Sequence, residues 1–225
     1  MTAPVLPAFS AVILAGGHSR RMGSDKATLE LDASMFVDVL YAKMAAIVED
    51  VWVVRRKDQQ SLQIPLVAFD AHPGQGPLAG LESGLAHCRC EWTFAIAVDA
   101  PLVRVELLLH LARLTLQRAD GDDGKSCHPA TAIVPTFRGQ KYPLLGVYHK
   151  SLQPVITKML TCDRRRVSDL LAQVCVRYVP EEEWRDCDPE GVSFLMVNTP
   201  AEYETVRRVA RGMKGSDGNE TGNPR

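Results

Sequence analysis

Ala11-Val12-Ile13-Leu14-Ala15-Gly16-Gly17 is a short, continuous apolar run that closes on a glycine pair. An apolar run without alternation is how a strand buried on both faces reads, so this segment is expected to be a central parallel strand. Residues 51–54, 66–69 and 93–98 repeat the signature, and a helical stretch over residues 36–48 separates the first two strands. Strands alternating with helices imply right-handed βαβ units and an open sheet covered on both sides. The segment 105–116, VELLLHLARLTL, is apolar on nearly all sides and reads as a deeply packed helix, with His110 a core or boundary residue rather than a ligand. Residues 132–137 and 144–149 read as two more strands joined by a turn at Arg138-Gly139, which places an antiparallel edge on the sheet. The last helix has the clearest start signal: Thr199 as N-cap, Pro200 at the first helical position, Glu202 closing a capping box, then a buried stripe of Tyr203, Val206 and Ala210. The fold class expected is therefore α/β, a single doubly wound, mostly parallel sheet with an antiparallel edge.

Composition narrows the functional class. With 225 residues, 46% of them hydrophobic and 24% charged, the chain can bury a sizeable core, and no internal linker divides it. Residues 1–211 are expected to form one domain, and the Gly- and polar-rich stretch 212–225 a disordered tail. A net charge of −1 argues against a nucleic-acid partner. The first ten residues lack a basic segment followed by an apolar one, and no apolar run approaches a membrane span, so no membrane role and a cytoplasmic location are expected. Cysteines at 88, 90, 127, 162, 175 and 187 form no C-x-x-C pair and no zinc-like spacing with histidine, which reads as reduced thiols.

The chemistry gathers after the first strand. Leu14-Ala15-Gly16-Gly17-His18-Ser19-Arg20-Arg21-Met22-Gly23-Ser24-Asp25-Lys26 carries three glycines, whose backbone N–H groups can approach a polyphosphate without Cβ interference, and Arg20, Arg21 and Lys26 add positive charge. The loop has neither the Gly-Lys-Ser/Thr of a Walker loop nor a G-x-G-x-x-G dinucleotide fingerprint. Its place at the carboxyl end of a central strand is where α/β folds bind ligands. Asp99 ends the apolar strand TFAIAV, so its carboxylate either holds Mg²⁺ beside the loop or caps the helix beginning near Val103. Gly76-Pro77-Leu78-Ala79-Gly80 is a tight turn into a helix that either reads a purine edge with its backbone or only connects two elements. Arg164, Arg165 and Arg166 form either a forked phosphate grip or a solvated helix start.

The run LAGG-x-S-x-RMG-x-DK resembles the signature loop of the molybdenum cofactor guanylyltransferase family, within the nucleotidyltransferases of the Rossmann-like nucleotide-diphospho-sugar transferase fold. Gly76 to Gly80 resembles that family's second motif and Asp99-Ala100-Pro101 its metal-binding motif. Arg165-Arg166-Val167 and Val197-Asn198-Thr199-Pro200 also look like family positions, so the likeness runs in order from about residue 11 to 205. Two departures stand out: Val53-Val54-Arg55-Arg56 where the family places a polar Asn, and Tyr142 where a His is expected before Pro143.

The resemblance implies transfer of GMP from GTP to molybdopterin, giving the guanine dinucleotide cofactor and pyrophosphate. It implies Lys26, Arg21 and Asp99 as catalytic residues, with Asp99 holding Mg²⁺. Leu14, Ala15, Gly16, Gly17, Lys26, Asp70, Pro77, Leu78 and Gly80 would bind the nucleotide, although Asp70 also reads as a plain turn residue. Arg165, Arg166 and Asn198 would bind the acceptor, and transient contacts with molybdenum-insertion proteins and molybdoenzyme chaperones would follow. An acceptor phosphate already ionised near neutral pH requires no side-chain nucleophile, in keeping with the lack of a Ser-His-Asp or Cys-His pattern. The alternatives are a cytidylyl- or uridylyltransferase of the same fold acting on another small phosphate, and a GTP-sensing module without turnover. The Gly16-Gly17 pair favours guanine by resemblance, and the retained Lys26 and Asp99 disfavour a sensor.

Overall fold

The computed structural model describes residues 9–17, 25–59, 62–70, 74–116 and 130–217. Strand β1 (Phe9–Leu14) leads through a 3-10 turn (Lys26–Thr28) and a two-residue hairpin, β2 (Glu30–Leu31) and β3 (Ser34–Met35), into helix α1 (Phe36–Ala45). The hairpin turns on Asp32 and Ala33, both at positive φ, the mirror-image geometry that matches strand twist. Then follow β4 (Asp50–Arg55), β5 (Val67–Phe69), α2 (Pro77–His87), β6 (Trp92–Ala97) and α3 (Val105–Leu114). The second half contains β7 (Ala132–Phe137), β8 (Gln140–Lys141), β9 (Leu145–His149), α4 (Gln153–Thr161), α5 (Val167–Leu171), β10 (Val176–Val179), α6 (Glu181–Trp184) and α7 (Pro200–Asp217).

The sheet runs β10-β7-β9-β6-β1-β4-β5, with β8 paired to β7. β1 pairs in parallel with β4 on one side and β6 on the other, with Leu14 opposite both Val54 and Ala97. The chain goes one way from β1 to β4 and β5, then returns past β1 to β6. That reversal leaves a crevice at the carboxyl ends of β1 and β6, where doubly wound sheets bind ligands.

The period of two along β1 divides the core. Phe9, Ala11 and Ile13 join α1, α3 and α7 on one face, while Val12 and Leu14 lie under α2 on the other. Gly84 of α2 stands so close to β1 that a Cβ there would lie 2.5 Å from Val12 Cγ1. On the other face α1 buries Phe36, Val37, Leu40 and Met44, a helical stripe that requires its β1 neighbours to be apolar.

The reversed strand is not at the edge. β9 runs antiparallel to both β6 and β7 and lies between them, while β10 extends the sheet parallel to β7. The turn at Arg138-Gly139 leads first into β8, which folds back on β7, so a strand that looked terminal is enclosed. Helix α7 begins with the expected capping box. Glu202 Oε2 accepts from the backbone N–H groups of Asn198 and Thr199, each at 2.8 Å, and Thr199 Oγ1 accepts from Glu202 N at 3.3 Å. The helix continues to Asp217, beyond Gly212 where composition placed the start of the tail, while residues 218–225 lie outside the described residues. Among the described residues, no helix is long and apolar enough to cross a membrane.

Candidate active site

At the β1/β6 crevice lies a cavity of about 310 Å³, at the lower end of the usual size for small-molecule sites. Leu14, Ala15, Gly16 and Gly17 line it from the end of β1, and Ala97, Val98 and Asp99 from the end of β6. The two strand ends are tied together where Val98 N donates to Leu14 O at 3.1 Å. Gly74, Gly76, Pro77 and Gly80 supply the α2 side, Asp70 follows β5, and Asp25 and Lys26 close the glycine loop. Gly76 caps α2 at φ 80°, in the left-handed region that favours glycine, and Pro77 occupies the first turn. This presents a helix N-terminus to the cavity, suited to anionic and hydrogen-bond-accepting groups.

The charged centre is compact. Lys26 Nζ donates to Asp99 Oδ2 at 3.0 Å and to Asn198 Oδ1 at 2.7 Å. The side chains of Lys26 and Asp99 are 17% and 22% exposed, so an incoming ligand can reach both while water screens them only partly. Asn198 is held by its own neighbours, its N–H donating to Glu202 while Val197 N donates to Asp99 O at 2.9 Å. The loop after Asp99 is fastened by Lys43 of α1, whose ammonium donates to Pro101 O and Val103 O at 2.8 and 2.9 Å. Burial lowers the Lys43 pKa to about 8, because the charged form loses its hydration.

The described carboxylates lining the cavity are Asp25, Asp70 and Asp99. Asp25 is engaged by protein donors: Ala27 N at 3.0 Å, Arg55 at 2.8 Å and Gln59 at 2.9 Å. Among the described residues no three His, Cys, Asp or Glu side chains form a self-sufficient metal cage. The donor set fits a hard divalent cation that takes one or two carboxylates and completes its shell with phosphate and water oxygens.

Most residues singled out in the sequence meet here. Leu14, Ala15, Gly16, Gly17, Lys26, Asp70, Pro77, Gly80 and Asp99 line one cavity, and Asn198 joins through Lys26. Leu78 does not line it; its side chain is fully buried in the core beneath α2. Arg165 and Arg166 are exposed and do not line this cavity, although the Arg165 carbonyl stands 3.6 Å from where a Cβ on Gly76 would sit. Arg21 lies outside the described residues. Sequence reasoning gave no role to Asp25, Arg55 or Gln59. The available signal was an aspartate directly before Lys26, a residue type that caps short helical turns.

Asn198 also lines a second groove, of about 480 Å³, with Tyr142, Phe194, Met196 and Thr205. Tyr142 packs edge-on against Phe194 with ring centroids 4.7 Å apart, so the departure at Tyr142 adds an aromatic wall beside the charged centre.

The family model of the MobA-like NTP transferase domain matches residues 11–178. A probable molybdenum cofactor guanylyltransferase from Carboxydothermus hydrogenoformans is 34% identical over 198 residues, covering 88% of this chain and 94% of the relative. One from a Geobacillus species (strain WCH70) is 30% identical over 202 residues, covering 87% and 96%. The solved structure of molybdopterin-guanine dinucleotide biosynthesis protein A from Archaeoglobus fulgidus has the same fold, with a TM-score of 0.74 at 24% identity, covering 91% of this chain and all of that one.

Proposed function

The chain belongs to the family of MobA-like NTP transferase domains, and on that premise we propose that it transfers GMP from GTP to molybdopterin, releasing pyrophosphate. The names of its relatives support the substrates, and one observation carries the reaction: the Lys26 ammonium spans Asp99 and Asn198 beside the glycine pair at the sheet's switch point. The family is one of nucleotidyltransferases, which typically need a divalent metal. Here Mg²⁺ is the ion proposed, held by Asp99.

In this reading the triphosphate lies along the Leu14 to Gly17 backbone, and the base enters between that loop and the start of α2. A phosphate oxygen of molybdopterin attacks the α-phosphorus in line. The new P–O bond forms as the bond to the β-phosphate bridging oxygen breaks, and pyrophosphate departs with the electron pair. Lys26 opposes the charge that builds on the departing phosphates, and Arg21 is assigned the same task by resemblance. A divalent cation held by Asp99 would supply further charge neutralisation on the triphosphate. The chain's main work is to align donor and acceptor. Asn198 and the groove of Tyr142 and Phe194 suit the acceptor, and Arg165 and Arg166 would reach its phosphate from the rim near Gly76. A cytoplasmic setting accords with these substrates.

The test is pyrophosphate release from GTP, CTP, UTP and ATP, each with and without molybdopterin. Release confined to GTP with molybdopterin is expected. Release with CTP or UTP instead would move the assignment to another base, and binding without release would make the chain a sensor.

A further inference from the structure

We propose that Arg55, the last residue of β4, and Gln59, in the turn after it, are positioning residues that clamp both stems of the glycine loop and thereby set Lys26. Five hydrogen bonds carry this. Arg55 reaches Asp25 Oδ2 at 2.8 Å, and Gln59 Nε2 donates to the same oxygen and to Ala15 O, both at 2.9 Å. Arg56 donates to Gly16 O at 3.3 Å. Asp25 Oδ1 accepts from Ala27 N at 3.0 Å and so caps the 3-10 turn that opens with Lys26. Ala15 and Gly16 leave the loop at one stem and Asp25 and Lys26 return at the other, so Gln59 bridges both.

The placement is costly unless it is used. The Arg55 side chain is 3% exposed, and a guanidinium withdrawn from water is retained only with a well-placed partner. That partner is a carboxylate in the cavity wall, one residue before the lysine whose ammonium meets Asp99. The register of β4 on β1, with Val54 opposite Leu14, brings Arg55 level with the loop. With the clamp released, Lys26 keeps its charge but loses its aim, and a misplacement of about 1 Å costs on the order of 10²-fold in rate.

The inference rests on the nucleotidyl-transfer reading, so turnover and GTP affinity are measured on the same proteins. Gln59→Leu, at a half-buried position outside the hydrophobic core clusters, keeps the core intact. It is expected to lower kcat about tenfold while GTP Kd changes less than about threefold. Arg55→Lys should retain more activity than Arg55→Met, because it keeps the charge opposite Asp25. If the clamp acts through Lys26, Gln59→Leu in a Lys26→Met background should have no further effect on kcat. Normal kcat in Gln59→Leu, or a full additional loss in the double variant, would overturn the clamp. A wild-type protein that turns over no nucleotide would instead overturn the reading beneath it.

Discussion

Lys26 and Asp99, 73 residues apart in the chain, meet at 3.0 Å because β1 and β6 run side by side in parallel and end together. The cation of the glycine loop and the carboxylate of the neighbouring strand therefore share one point at the sheet's crevice. Removing either should affect the reaction more than the fold.

Asp99→Asn keeps the shape and loses the charge. Turnover is expected to fall by about 10²-fold or more at saturating divalent cation, with the thermal unfolding midpoint little changed. Steady-state kinetics across a Mg²⁺ titration checks it; near-normal turnover would remove Asp99 from the metal's coordination.

Lys26→Ala separates rate from binding. An ammonium that gains importance as pyrophosphate departs should cost far more in kcat than in GTP affinity. Rapid-quench rates and calorimetry on one preparation decide this. Weaker binding at an unchanged maximal rate would make Lys26 a nucleotide anchor only.

Gly84→Ala tests the packing beneath the site. Its Cβ would sit 2.5 and 2.7 Å from the two methyls of Val12, so α2 must move off β1. A loss of about 1 to 3 kcal/mol in denaturant unfolding is expected, and Val12→Ala in the same chain should recover part of it. A single variant as stable as the wild type would mean that the helix yields freely.

Lys43 gives a pH dependence with a definite sign. Burial lowers its folded-state pKa from 10.5 to about 8. The unfolded chain therefore holds the proton more tightly between those values, and stability from this group rises with pH there. Equivalently, that contribution is present above about 10.5 and lost as pH falls through about 8. Comparing wild type with Lys43→Met by urea unfolding cancels other titrating groups, including Cys88, whose thiol burial pushes up to about 12. The stability difference should shift by about 2 kcal/mol in favour of wild type between pH 7.5 and pH 9.5. A flat difference would contradict the burial argument.

Much of the fold was readable because its cues are local. The apolar runs at β1, β4 and β6 and the capping box at Thr199 each depend on a few neighbouring residues, and β1 sets the site by leading into Gly16-Gly17. The position of β9 was not readable, because a hairpin pattern gives the turn and not which partner the returning strand chooses. Leu78 shows the limit of motif reading: one residue beyond Pro77 on a helix, it is rotated by about 100° and faces the core. Arg55 and Gln59 escaped because their contacts depend on strand register and on side chains reaching across a loop. An arginine pair after a strand looks equally like a solvated turn.

The most direct measurement is transfer of label from GTP carrying ³²P at the α-phosphate into a molybdopterin adduct, resolved chromatographically. One labelled dinucleotide product is expected, formed in step with pyrophosphate and suppressed in Lys26→Ala and Asp99→Asn. Label that stays in GTP under conditions where the protein binds it, or an equal yield from α-labelled CTP, would contradict it.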